Sequence, residues 1–302
     1  MKGYKGFEPG LICRGKQYAE NTVFEEEEAE ICSCGMHFCE NPFDVLGYYG
    51  FTNDNGDFNE FAEVEALDEV KTDDNRKFCT KKLKIGAKLS ISKFINACVD
   101  FAIEKTSTCI ADNKISSGDF AQIGSSGDSA QIGSSGYSAQ IGSSGDFARI
   151  GSSGDSAKIG SSGDFAQIGS SGDFAQIGSS GDSARIGSSG DSAKIGSSGN
   201  SAQIGSSGDF ARIGSSGDSA KIGSSGDFAQ IGSSGKDCVI CCAGHNSVVK
   251  AKKGSWITLA EWEYSEEKER YIPKCVKTEF VDGERIKEDT LYKLIDGEFV
   301  EV

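Results

Sequence analysis

The chain has 302 residues and carries 46 Asp and Glu against 31 Lys and Arg, a formal net charge of −15. That balance argues against a nucleic-acid partner held through its phosphates, and the length leaves room for two or three structural units. No apolar run reaches the length of a bilayer span and residues 1–10 hold no signal-like apolar stretch, so a cytoplasmic protein without membrane contact is expected, its 11 cysteines reduced.

In chain order, short strands are expected at 11–14, 22–24 and 30–34, then through Gly35, Met36, His37, Phe38 and Cys39. Asn41 reads as an N-cap with Pro42 at the first helical position, opening a short helix to about residue 49. Strands are expected next at 61–67 and 77–85. Ser90 can then cap a helix that places Ile91, Phe94, Ile95, Cys98, Val99 and Ala102 on one face. This α+β segment is taken as 1–113, and its last helix is expected to cover the open edge of the repeat array that begins near residue 116.

The densest chemistry lies in that segment. Cys13, Cys32, His37 and Cys39, with Cys34 beside them, are the residue types of a tetrahedral zinc site. Their spacing is unorthodox, because structural zinc pairs favour two or more residues between cysteines. Small buried thiols on strands are therefore the favoured reading, and neither metal nor cofactor is expected.

From 116 to 249 a nine-residue unit of the form GDSAQIGSS recurs, with isoleucine at Ile123, Ile132, Ile141, Ile150, Ile159, Ile168, Ile177, Ile186, Ile195, Ile204, Ile213, Ile222 and Ile231. Two residues before each stands alanine, beginning with Ala121 and Ala130, and between them stands Gln, Arg or Lys. This alternation predicts a strand whose Ala/Ile face is the core, since the opposite choice would bury rows of unpaired charge. A Gly/Ser linker would have no use for the unvarying isoleucine. The nine-residue register persists to Ile240 and Val249, with Cys238 and Ser247 at the alanine position, which extends the core by two units.

The GSSG-Asp remainder predicts a corner, with glycines supplying positive φ and Asp capping nearby backbone. Tyr137 and Asn200 in the Asp place agree with a capping role, and the register differs from that of calcium-binding β-rolls. Two units per coil would give a thin roll and three a triangle. Sorting every third unit collects Phe120, Phe147, Phe174 and Phe228, but 146–172 recurs letter for letter at 209–235, so duplication can mimic such a period; two is preferred. Cys241, Cys242 and His245 are expected at corners.

Beyond 254, strands are expected at 255–264, 271–281, 285–294 and 299–302, with Asp282-Gly283 and Asp296-Gly297 as hairpin turns. Trp256, Trp262 and Tyr264 are expected to close the end of the stack. The expected fold class is thus mainly β: a central parallel β-solenoid of nonapeptide repeats (114–253) between a small N-terminal α+β domain (1–113) and a C-terminal antiparallel β cap (254–302).

The opening KGYKGF, the CRG at Cys13, the run GMHFCENPFDVLGYY from Gly35 and the closing VDGERIKEDTLYKLIDGEFVEV resemble a family of unknown function found in phages and gut bacteria. Its members carry eight- or nine-residue repeats between such ends. The resemblance implies a phage or prophage origin and brings no activity. More faintly, Arg14-Gly15 followed by Gly35-Met36-His37-Phe38 and a helix with Tyr48 or Tyr49 is similar to the NAD-binding core of ADP-ribosyltransferases. That likeness implies NAD near Arg14 and His37, with His37 in the place of a tyrosine and Glu63 or Glu65 as catalytic acid. The leading expectation is a non-enzymatic structural or interaction protein with a protein partner; the NAD-binding domain and a zinc module are the alternatives.

Overall fold

The computed structural model describes residues 1–31, 33–53, 57–106 and 113–302. Its centre is a parallel β-solenoid of about eight turns with two units per coil. Each unit contributes a four-residue strand of the type Gln-Ile-Gly-Ser, and every strand pairs in parallel with the one 18 residues on: Ile123 lies beside Ile141, and Ile132 beside Ile150. Alternate units fall into two ten-stranded sheets. One begins with Gln122–Ser125 and the other with Asn113–Ser116.

The predicted core is inside. The isoleucines from Ile123 to Ile240, with Val249 and the alanines from Ala130 onward, are buried. Ala121 is the exception and is only half-buried, because its column has no earlier strand among the described residues. A third inward column is the first serine of each unit, such as Ser143, Ser161 and Ser179, each fully buried. Cys238 and Ser247 take over the alanine column as expected. Cys241 and Cys242 are not at a corner; they end the strand Val239–Cys242, one exposed and one buried.

The corners differ from expectation in one respect. The left-handed residue is the one before each position of the alanine column, Phe or Ser from Phe120 (φ 57°) to Phe228 (φ 55°), then Asp237 (φ 56°) and Asn246 (φ 55°), and not glycine. Glycine is needed there for a different reason: a Cβ on Gly181 would come within 1.9 Å of the Gly163 carbonyl oxygen one coil away. Backbone touches backbone at the bend, and only hydrogen fits. The aspartates also cap across coils, since the Asp164 N–H donates to Asp146 Oδ1 and the Asp182 N–H to Asp164 Oδ1, both at 2.8 Å. Asn200 keeps this link, accepting from the Asp218 N–H at 3.0 Å.

The N-terminal segment has a four-stranded antiparallel sheet, ordered Lys2–Phe7, Glu60–Ala66, Lys82–Leu89, Val23–Glu25, and a second one of Met36–Phe38, Phe78–Thr80 and Val70–Thr72. The strand expected at 30–34 is a single bridge between Glu30 and Cys34. Helix α1 is Pro42–Val45, shorter than expected, and Asn41 caps it by accepting from the Phe43 N–H at 3.0 Å. Helix α2 is Ile91–Thr106. It does not cover the end of the stack. It lies on the outer face of the sheet that begins with Gln122–Ser125, against that strand, Gln140–Ser143 and Lys158–Ser161. Its apolar stripe runs along a column of outward glycines, which supply the flat, side-chain-free track such a helix requires.

At the far end, Trp256–Ser265 adds a parallel strand beside Val239–Cys242 and forms a long antiparallel hairpin with Arg270–Phe280. The pair Tyr292–Ile295 and Glu298–Glu301 extends the other sheet. Asp296 (φ 50°) and Gly297 (φ 73°) make the expected tight hairpin, whereas Asp282 instead organises a loop, accepting from the N–H groups of Glu284, Arg285 and Ile286. The end is closed by Ile257, Leu259, Val281, Ile286, Tyr292 and Leu294. Trp256 and Tyr264 are half exposed and Trp262 lies at the surface with its indole N–H on the Ala243 carbonyl, because all three point away from the stacked interior. Among the described residues, no helix is long and apolar enough to cross a membrane.

Two glycines of the same array should respond oppositely to a methyl group. Gly181→Ala is expected to lower unfolding free energy by about 3 kcal/mol or more through overpacking. Gly169→Ala, which meets nothing within 4 Å, should stay within about 0.5 kcal/mol of the parent. Urea titration followed by circular dichroism measures both, and equal effects would mean that coils are not in backbone contact at the bend.

Candidate functional site

The strand Lys2–Phe7 builds the floor of a cleft of about 620 Å³ in the N-terminal segment. Its two glycines are there for closeness: a Cβ on Gly3 would meet the Cys39 carbonyl oxygen at 2.4 Å, and one on Gly6 would meet Tyr49 Cβ at 2.6 Å. Tyr4 and Cys39 exchange backbone hydrogen bonds of 2.7 and 2.9 Å, which brings the CENPF turn over the strand. Alternation then points Lys5 inward with Phe7. Its side chain is 5% exposed, its Nζ donates to the His37 carbonyl at 2.8 Å, and it lies 5.4 Å from the Tyr18 ring centre.

Cations dominate the rim. Lys5, Arg14, Lys16 and Lys77 line the cleft against Glu8 and Glu26, and one of those acids is engaged by Lys16 at 2.6 Å. Lys77 Nζ sits 5.1 Å from the Tyr48 ring centre, and the Tyr49 hydroxyl donates to Cys13 Sγ at 3.2 Å. In a chain of net charge −15 this is a local reversal of sign. Burial lowers the pKa of Lys5, partly offset by Cys13. Burial also lowers that of His37, and the neighbouring Lys5, Lys77 and Arg14 add to the effect, so the imidazole stays neutral at neutral pH. Burial pushes the Cys39 thiol up to about 12, with Asp44 contributing, which leaves it protonated.

Of the residues singled out from the sequence, Cys13, Arg14, Cys34, His37 and Cys39 line this one cleft. Cys32 lies outside the described residues. Among those described, no three His, Cys, Asp or Glu side chains come together as a metal-binding group. Glu63 and Glu65 are on Glu60–Ala66, opposite Tyr4 and Lys2 in the ladder, and do not line the cleft. The ADP-ribosyltransferase-like set is thus divided. Lys5, Lys16 and Lys77 are additions that the motifs do not announce, although the parity of Gly3, Lys5 and Phe7 on one strand face signals that Lys5 points inward.

A second feature is the contrast between the outer faces of the two solenoid sheets. On the covered sheet, the outward glycines Gly142, Gly160, Gly178, Gly196 and Gly214 are buried beneath α2, Phe51, Thr52 and Phe58. The outward Gln/Lys column beside them is met by acceptors: Gln140 Nε2 donates to Asp44 Oδ1 at 3.2 Å, Lys158 Nζ is 3.8 Å from the same carboxylate, and Gln176 Nε2 donates to the Leu46 carbonyl at 2.8 Å. Burial raises the pKa of Asp44 and lowers that of Lys158 despite their pairing, so desolvation outweighs the attraction between them. On the open sheet, the equivalent Gly151, Gly169, Gly187 and Gly205 have nothing within 4 Å of a built Cβ. Beside them Arg149, Arg185 and Lys221 are exposed.

The histidine gives a direct test of the cleft's electrostatics. With its folded pKa depressed, His37 contributes stability that is present above the ordinary value of about 6.5 and is lost as pH falls below it, where the unfolded chain takes up the proton first. The His37 resonance in a pH titration by NMR should therefore move below pH 6.5, and His37→Gln should flatten the loss of melting temperature between about pH 7 and 5. A titration at or above the ordinary value would show that the imidazole is neither desolvated in the cleft nor crowded by these cations.

Residues 1–97 match a protein family described as a domain of unknown function (DUF7666). No curated protein and no solved structure matches the chain.

Proposed function

We propose that this is a non-enzymatic structural and interaction protein, in which the solenoid is a stiff support for the N-terminal segment along one face and a binding surface on the other. The observation that carries this reading is the asymmetry of the solenoid: two sheets built from the same nonapeptide, one sealed by the chain's own N-terminal segment and one left bare along its length. A bare, flat face this long is an interaction surface by its chemistry, with backbone and cations accessible and little side-chain relief. Resemblance to repeat-bearing proteins of phages and gut bacteria supports a phage- or prophage-encoded protein acting in the cytoplasm of a bacterial cell. Tagged full-length protein, cross-linked in infected or lysogenic cells, is expected to recover one protein partner in near-stoichiometric amount. Recovery of the chain alone, under cross-linking that links its own N-terminal segment to the covered sheet, would overturn the reading.

A second reading is favoured by the cationic cleft. Arg14 and His37 share it with Lys5 and Lys77, a setting that suits a phosphate-bearing ligand such as NAD. Isothermal titration of the intact protein with NAD is expected to show saturable heat that Arg14→Ala reduces at least tenfold in affinity. No heat, or heat unaffected by that substitution, removes NAD from the cleft. Because Glu63 and Glu65 lie elsewhere, binding would not by itself make the domain a transferase.

A further inference from the structure

We propose that the open sheet is a docking surface for an α-helix of a partner protein, one bearing a stripe of small apolar residues flanked by acidic side chains at seven-residue spacing. This rests on the reading of the chain as an interaction protein and names the kind of partner that its bare face accepts.

The covered sheet shows what such a face binds. Along α2, Ala102 lies over Gly142, Val99 over Gly142 and Gly160, and Ile95 over Gly178, with contacts a Cβ would close to between 2.8 and 3.4 Å. Three or four helical residues advance about 4.5 to 6 Å, which matches the rise of roughly 4.8 Å from coil to coil. The glycine column is thus a track on which successive turns of a helix find successive coils. Acceptors beside that helix, Asp44 and the Leu46 carbonyl, engage the polar column next to the track.

The open sheet repeats this arrangement with no occupant among the described residues. Its glycine column is bare, and in the neighbouring column Gln131, Gln167 and Gln203 alternate with Arg149, Arg185 and Lys221. None of these three cations makes an ion pair among the described residues. They stand two coils apart, roughly 9.6 Å, while residues i and i+7 of a helix are about 10.5 Å apart and on the same side. An acidic residue in every heptad therefore meets each cation in turn over a length of three heptads.

The face also continues into apolar surface at its far end, where Val239 and Trp256 are 51% and 49% exposed and Cys241 is exposed beside them. A second copy of the same face is a poorer occupant. It would bring Arg149, Arg185 and Lys221 against their own counterparts with no outward acid in either column to neutralise them.

The test uses the full-length protein and a synthetic three-heptad helix with alanine at the two facing positions of each heptad and glutamate on one flank, its glutamates replaced by lysine in the control. By fluorescence anisotropy at low salt, the glutamate peptide is expected to bind at least tenfold more tightly than the lysine peptide. The triple variant R149E/R185E/K221E should reverse that preference. G169L/G187L, which fills the track where there is open space, should abolish binding while leaving the circular dichroism and melting temperature unchanged. Equal affinity for both peptides, or glutamate-peptide binding unaffected by either variant, overturns the proposal. So does a wild-type dimer in sedimentation that G169L/G187L disperses, which would assign the face to self-association. If the protein still recovers its cellular partner when carrying G169L/G187L, the helix-docking surface falls and the broader interaction reading stands.

Discussion

Parallel contact between successive coils, backbone against backbone, is the constraint on which everything else in this molecule depends. Within the strands it takes the form of ladders such as Ile141 beside Ile159, and at the bends it takes the form of glycines too close to a neighbouring carbonyl to carry a side chain. The hydrogen bonds run along the same axis. Gln140 donates its N–H to the Ala121 carbonyl below, and Phe147 donates to the Asp164 carbonyl above. A nine-residue unit can bury almost nothing by itself, so its stability is a property of its neighbours. This explains why the repeat interior is lined by nothing larger than isoleucine: alanine, isoleucine and serine from two facing sheets fill a space only two side chains wide.

The same constraint fixes what the exterior can be. With the outward position after each isoleucine given to glycine, the faces are flat, and flatness makes them receptive to a helix. One face receives α2, Phe43 and Phe51 from the N-terminal segment, whose cluster of buried aromatics completes its own core against the solenoid. The N-terminal segment thereby runs alongside the array.

Much of this is legible in the residues. Periodicity of nine predicts the stack, parity predicts the Ala/Ile interior, and Asn41-Pro42 marks the start of α1. What is not legible has specific physical causes. The left-handed bend falls on Phe and Ser because glycine is reserved for the closest contact, a choice that composition alone inverts. The inward serine is invisible to a hydrophobicity pattern. The position of α2 on a face rather than an end depends on the outward glycines of one sheet only, and the repeat provides both sheets with the same glycine. The cleft is half visible: Cys13, Arg14, His37 and Cys39 stand out, but as a metal or NAD set, and the lysines that give it its charge come from three separate strands and loops.

The repeated segment at 146–172 and 209–235 is displaced by seven units, an odd number, so identical stretches lie on opposite sides of the solenoid. Arg149 faces solvent where Arg212 faces the docked segment, and Lys158 and Lys221 exchange places likewise. Each unit added or lost leaves the ladders intact yet turns everything downstream by half a revolution and advances it by about 2.4 Å, half the coil spacing. The array is therefore a vernier: unit number sets both the distance and the azimuth between the two ends, and an even change preserves their relative facing while an odd one reverses it.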